Sequence, residues 1–229
     1  IAPNLPPKVY EKREVKLSQQ QKIAYGELKE NCRVIIQDEM ASYNNKLTEI
    51  IKLQQACNGF IKTDEGQIIE FPCGKLDELM NILDEVDGKV IIWANFVYNI
   101  EKIIKTLEDK FGAMSVVSIY GDVPVVVRNS AVKNFQENKK VRFFVGNPST
   151  GGYGLNLTKA NTVIYFSNSF NLEVRQQSED RAHRIGQKKS VTYIDLIAKG
   201  TIDEFVLKSL NQKLTLSAQT LGEEVLKFL

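Results

Sequence analysis

From residue 74 onward, short apolar runs alternate with segments whose apolar residues recur three and four positions apart. Val90-Ile91-Ile92-Trp93 reads as a short, fully buried strand. Before it, Leu76, Leu79, Met80 and Leu83 mark a helix face closed by Gly88; after it, Ile100, Ile103, Ile104 and Leu107 mark another. The pattern predicts further strands at Val116–Tyr120, Val141–Val145, Thr162–Phe166 and Val191–Ile197. Val132 and Phe135 sit on a predicted helix that runs to about Asn138. Ile202, Phe205, Val206, Ser209 and Leu210 are in phase for an amphipathic helix, and a weaker one follows to Leu229. Strands that alternate with helices predict an α/β fold around a mostly parallel sheet.

Residues 1–73 follow a different pattern. Three of the six prolines lie in the first seven residues and predict an extended lead-in. Val9, Glu11, Arg13, Val15 and Leu17 alternate as in a strand or hairpin arm. Ser18-Gln19-Gln20-Gln21 offers a capping box for a helix to about Lys29. A second helix is predicted from about Val34 to Cys57, stopping at Asn58-Gly59. Residues 61–73 read as a loop or small hairpin turning at Asp64-Glu65-Gly66.

Composition narrows the partners. Thirty Lys and Arg against 28 Asp and Glu exclude a uniformly basic nucleic-acid coat, so any contact with DNA depends on local clustering. The three cysteines, Cys32, Cys57 and Cys73, lack metal-ligand spacing and read as thiols in a reducing compartment. No apolar run is long enough to span a membrane. The start, without Met or a signal-peptide pattern, reads as a piece of a longer protein.

Candidate chemistry concentrates at strand ends and in one polar run. Three strand-to-helix junctions are predicted, at Trp93-Ala94-Asn95-Phe96, at Tyr120-Gly121-Asp122 and at Asn147–Thr158, where ligands of open α/β sheets bind. Asn95 is a ligand contact or a helix cap. Arg128 holds a phosphate or pairs with Asp122, and Phe135 packs. Gly151, Gly152 and Gly154 let backbone N–H groups approach a phosphate, and Asn156 and Thr158 add side-chain donors. The polar run is Gln176–Gln187. If it is helical to Gly186, Gln177, Arg181 and Arg184 share one face at i, i+4 and i+7, with guanidiniums able to fork around phosphate oxygens. The plainer alternative is an exposed helix whose arginines pair with Glu179, Asp180 or solvent. His183, the only histidine, falls off that face, and Trp93 reads as core.

Gln177-x-x-Asp180-Arg181-x-x-Arg184, followed by Ile185-Gly186-Gln187, resembles the sixth motif of superfamily 2 helicases. Asp-Arg-Ala-His-Arg-Ile-Gly-Gln is similar to its form in Swi/Snf-type ATP-driven DNA translocases. The glycine loop with Gly-Leu-Asn-Leu-Thr resembles the family's fifth motif, and Leu-Gln-Gln-Ala-Cys-Asn-Gly its helical protrusion. The resemblance implies that residues 1–73 form linker, strand and protrusion, and that 74–229 form the second RecA-like motor lobe, a three-layer fold ending in amphipathic helices. It also implies catalytic roles for Arg181, Arg184 and Gln177, and nucleotide contacts by Gly152, Gly154 and Asp180. Contacts with double-stranded DNA are implied for Asn95, Arg128, Thr150, Asn156, Thr158 and Phe170.

Two departures stand out. Either Asn147-Pro148 or Ser149-Thr150 takes the family's Ser-Thr positions, and Phe166–Asn171 lacks the usual acid and Trp-Asn-Pro, which suggests a bacterial or phage subgroup. The chain carries no Gly-x-x-x-x-Gly-Lys-Ser/Thr loop, and its acidic pairs fall in helices. ATP and Mg are therefore expected on an N-terminal RecA-like lobe of the same polypeptide, and the fragment alone is expected not to hydrolyse ATP. The implied location is the cytoplasm of a bacterial or phage-infected cell, or the nucleus if the source is eukaryotic. The alternatives are a non-hydrolysing module that binds DNA or protein, and a strand-separating helicase lobe.

Overall fold

The computed structural model describes residues 5–31, 33–36, 39–42, 45–121 and 123–212. Strand Lys8–Val15 (β1) leads to helix Gln19–Asn31 (α1), hairpin strands Arg33–Ile36 (β2) and Glu39–Ser42 (β3), and helix Lys46–Cys57 (α2). A second hairpin, Phe60–Lys62 (β4) and Ile68–Glu70 (β5), precedes helix Gly74–Glu85 (α3). Then come Lys89–Trp93 (β6), Val97–Phe111 (α4), Val116–Ile119 (β7), Val125–Glu137 (α5) and Phe143–Gly146 (β8). Ala160–Tyr165 (β9), Leu172–Glu179 (α6), Val191–Ala198 (β10) and Ile202–Asn211 (α7) complete the described elements.

The six-stranded sheet has the order β1-β10-β9-β6-β8-β7. Its inner strands run parallel, with Ile92 of β6 opposite both Val145 of β8 and Ile164 of β9. The chain leaves β6 for the edge strand β7, returns to β8 and crosses to β9 on the other flank of β6. The carboxyl end of β6 is thus a topological switch point, where neighbouring loops diverge and leave a crevice.

Two units divide the chain. One comprises Ile1–Arg13 with Leu79–Leu196. Trp93, Phe135, Phe144, Tyr165 and Tyr193 fill its core, with Trp93 and Phe135 each edge-on to Phe144. Trp93 and Phe135 are fully buried packing residues, as their sequence positions predict. The other unit comprises Glu14–Glu78 with Ile197–Leu229. Its core holds Leu28, Leu53, Ala56, Cys57, Ile61, Ile202 and Val206. There Lys75 is buried against Asp203 at 2.6 Å and donates to Asn58 Oδ1 at 3.0 Å.

The capping box at Ser18 forms as read. Gln21 N–H donates to Ser18 Oγ at 3.2 Å, and Ser18 N–H donates to Gln21 Oε1 at 3.0 Å. Two expectations are corrected. The predicted helix Val34–Cys57 is a β2–β3 hairpin followed by α2, because the β-branched run Val34-Ile35-Ile36 pairs as a strand and Asn45 caps a fresh helix at Thr48 N–H. The predicted arginine helix ends at Glu179 rather than near Gly186. Ala182 is fully buried, and the Arg181 carbonyl accepts from Leu157 N–H at 3.0 Å, so the chain leaves the helical path to serve a neighbouring loop. The weaker helix toward Leu229 lies outside the described residues.

Candidate functional site

Three loops converge at the carboxyl end of β6. The Asn95 N–H donates to Ser167 Oγ beyond β9 at 2.9 Å, and the Asn95 carbonyl accepts from Asn147 Nδ2 beyond β8 at 2.9 Å. Asn147 N–H reaches Ile119 O at the end of β7. The backbone of Asn95 is therefore fixed from both sides. Helix α4 starts after Phe96 with no side-chain cap, so Asn95 does not serve as its cap. The junctions after β6 and β8 thus meet in space, with the end of β7 joined to them through Ile119, and Asp122 lies outside the described residues.

The glycine loop is wound tightly after Asn147. Asn147 Oδ1 accepts from Ser149 N–H and Oγ, and Thr150 Oγ1 donates to the Asn147 carbonyl at 2.6 Å. Thr150 is 7% exposed, while Ser149 is open to solvent. Gly154 ends the turn at φ +68°, a left-handed conformation that suits glycine. Asn156 is exposed, its Oδ1 accepting from Thr158 N–H, and Thr158 Oγ1 accepts from Gln136.

Beside this loop lies the arginine turn. Arg181 Nε donates to the Gln177 carbonyl at 2.9 Å, and Arg184 Nη1 reaches Leu155 O at 3.4 Å. Arg184 is exposed and Arg181 half-buried. Burial, and then the neighbouring Arg184 charge, lower the Arg181 pKa, with Asp180 opposing. Among its charged neighbours, Arg184 thus weighs more on Arg181 than Asp180 does. The Gln177 side chain donates to Glu173, and Asp180, exposed at the end of α6, faces Lys8 at 3.5 Å.

Gln187, quoted in the motif but given no task by sequence reasoning, clasps loop to turn. Its Nε2 lies 3.2, 2.9 and 3.2 Å from the carbonyls of Thr158, Ala160 and Ala182, which share its two N–H donors. Arg128 lies in the first turn of α5 with Nη2 on Val123 O at 2.7 Å, and Phe170 is half-buried beyond β9. His183 Nε2 lies 2.7 Å from Pro6 O.

Sequence reasoning missed the network beneath the turn. Arg175 is 8% exposed, pairs with Asp195 at 2.6 Å and with Glu179 at 2.9 Å, and lies over the Tyr165 ring at 3.5 Å. Asn168 bridges Arg175 and Asp195. Two signals were legible: Asp195 is the one charged residue in the strand Val191–Ala198 and so demands a buried partner, and Arg175 stands four residues before Glu179. Among the described residues, no group of three or more His, Cys, Asp or Glu is placed to hold a metal ion, and no helix is long and apolar enough to cross a membrane.

Residues 74–186 match the helicase conserved C-terminal domain. An uncharacterized ATP-dependent helicase of Mycoplasma genitalium is 31% identical over 229 residues, a match covering 98% of this chain and 22% of the relative. ATP-dependent helicase fft2 of Schizosaccharomyces pombe is 31% identical over 208 residues, covering 82% of this chain and 16% of the relative. The SWI2/SNF2 ATPase core domain of Sulfolobus solfataricus superposes with a TM-score of 0.73 at 26% identity, over 99% of this chain and 49% of that one. The chain therefore spans about a fifth of the length of these two curated relatives.

Proposed function

Because the chain belongs to the helicase conserved C-terminal domain family, in its SWI2/SNF2 branch, we propose that it is the second lobe of an ATP-driven double-stranded DNA translocase. The observation that carries this reading is the clasp between loop and turn: Gln187 ties the glycine loop to the residues bearing Arg181 and Arg184. A phosphate that engages the arginines is thereby felt by the loop, and a DNA strand that moves the loop is felt by the arginines. Residues 74–229 form the motor lobe with β1 at the edge of its sheet, and residues 1–73 supply linker and protrusion. The match to about half of a SWI2/SNF2 core supports a partner lobe on the same polypeptide.

In this reading ATP and Mg sit mainly on the N-terminal lobe. Arg181 and Arg184 close over the γ-phosphate and neutralise charge as the phosphoryl group transfers. Gln177 fixes Arg181 through its backbone carbonyl. Gly152, Gly154 and Asp180 border the nucleotide. Asn95, Arg128, Thr150, Asn156, Thr158 and Phe170 form the DNA side, where Asn156 offers an exposed amide and Thr150 shapes the loop from within. The isolated chain, lacking a triphosphate cradle of its own, does not turn over ATP.

The test is steady-state ATPase activity of the full-length protein with and without duplex DNA. Arg181→Ala and Arg184→Ala are each expected to lower DNA-stimulated turnover by about 10³- to 10⁵-fold while ATP still binds. Wild-type turnover in either variant removes that arginine from the reaction. A wild-type protein that binds DNA without hydrolysing ATP turns the reading to a passive binding module, and separation of a forked duplex turns it to a helicase.

A further inference from the structure

The end of α6 at Glu179 raises a question about the arginines. A helix would dictate where Arg181 and Arg184 point; a turn does not, so their direction is set by whatever fixes the turn's first residues. Glu179 is that fixed point. It is 6% exposed, and its carboxylate accepts from Arg175 Nε at 2.9 Å, Lys8 Nζ at 3.0 Å and the Tyr10 hydroxyl at 2.8 Å. Its carbonyl accepts from the Tyr193 hydroxyl at 2.9 Å and from the N–H groups of Ala182 and His183 at 3.2 and 3.1 Å. One residue therefore joins the arginine turn through its main chain to strand β1 through its side chain.

Strand β1 has other contacts that hold it in the sheet. It is already paired with β10, and Tyr10 stacks on Tyr193 with ring centroids 5.3 Å apart. Lys8 also reaches Asp180, and Pro6 O meets His183 within the turn itself. Three alternate residues of one segment, 6, 8 and 10, thus contact the short stretch 179–183. Burial first, then the hydrogen bond and charge of Glu179, push the Tyr10 hydroxyl pKa upward, so it remains a donor.

We infer that Glu179 is a positioning residue for the arginines and that Lys8 and Tyr10 of β1 act through it as a strap that holds the turn in register. Anything that lifts residues 6–10 from the end of α6 misdirects Arg181 and Arg184 and slows turnover without removing either guanidinium. This inference rests on the arginine-finger reading above.

The experiment measures kcat and KM for ATP at saturating duplex DNA in the full-length protein, together with the thermal midpoint. The double variant Lys8→Met/Tyr10→Phe keeps the ring stack and removes both donors to Glu179. Its kcat is expected to fall about 10- to 100-fold, the scale of a small misplacement of a reacting group, with KM unchanged and the thermal midpoint lowered because the buried carboxylate loses two donors. Lys8→Arg retains the charge and is expected to keep most of the activity. Wild-type kcat in the double variant, with Arg181→Ala inactive, overturns the strap and leaves the finger reading intact. A kcat that returns to the wild-type value when the assay is run well below the lowered thermal midpoint makes the contacts merely structural and also overturns it. If Arg181→Ala and Arg184→Ala keep full turnover, the finger reading has failed on its own. The strap is then judged in the same protein by the NMR signal of Arg181 Nε–H, which donates to Gln177 O. Faster exchange in the double variant supports the strap, and an unchanged signal overturns it.

Discussion

At Gly146 the switch point leaves no room for a side chain. A Cβ there lies 2.7 Å from Ile119 O and 3.2 Å from the Trp93 ring, both held rigidly by the sheet. Gly146→Ala is therefore expected to destabilise the protein by about 1–3 kcal/mol, the usual cost of overpacking a core, and to shift the Asn147 contacts with it. Urea unfolding of the variant checks this; a midpoint equal to wild type means the β7–β8 end yields more easily than its packing indicates. The same close approach explains why single site residues were only partly legible. The glycines and asparagines at strand ends announce themselves by type, because few other residues turn a chain so sharply. Whether Thr150 faces out or in depends on a 2.6 Å bond to a carbonyl three residues back, and nothing in its spacing reveals that. Arg175 was overlooked although Glu179 stands one helical turn on, because its other partners, Asn168 and Asp195, come from other segments.

Elements were legible where local pattern and tertiary demand agree. Helix α1 begins where the capping box places it, and Ser18→Ala is expected to cost about 1 kcal/mol by orphaning the Gln21 N–H, a loss measurable by thermal or chemical unfolding. Helix α6 shows the opposite case. The polar run beyond Glu179 has no helix breaker before Gly186, yet burying Ala182 and pairing Arg181 O with Leu157 N–H outweigh two further helical turns. Gly186 does adopt a left-handed φ of +105°, but it closes a turn rather than a helix. The join between α3 and α7 was invisible for a third reason: Lys75 sits in a segment read as the start of an amphipathic helix, and its partner Asp203 lies far along the chain. Breaking that buried pair leaves an uncompensated carboxylate. Lys75→Met is expected to cost about 3–5 kcal/mol, and adding Asp203→Asn is expected to restore a large part by removing the stranded charge. A double variant no more stable than the single one argues that the lysine's stem and its bond to Asn58, not the charge, carry the effect.

Across the whole molecule, the alternation of apolar strands and amphipathic helices was enough to predict a mostly parallel sheet, because a doubly covered sheet requires strands without polar faces. Strand order was not available from the same pattern, since it is fixed by crossovers that local periodicity does not encode. The pH response of the folded state also belongs to this scale, and Glu179 gives it a sign. Burial by itself raises a carboxyl pKa, but the hydrogen bond and charge of Arg175 and those of Lys8 prevail, holding Glu179 below its ordinary 4.5. A carboxylate depressed in the folded state adds stability that is fully present above the unfolded value and is lost as pH falls through the lower folded one. Wild-type stability is therefore expected to decline below about pH 4.5 partly on account of this residue. Glu179→Gln lacks the charge at every pH, so its deficit against wild type is expected to be largest near neutrality and to shrink as acid titrates the wild-type carboxylate. Urea unfolding of both proteins between about pH 7 and about pH 3 measures that difference. A deficit that stays constant down the series means the glutamate acts through its shape and hydrogen bonds alone. A deficit that closes assigns the end of α6 to a charged network on which the arginine turn depends.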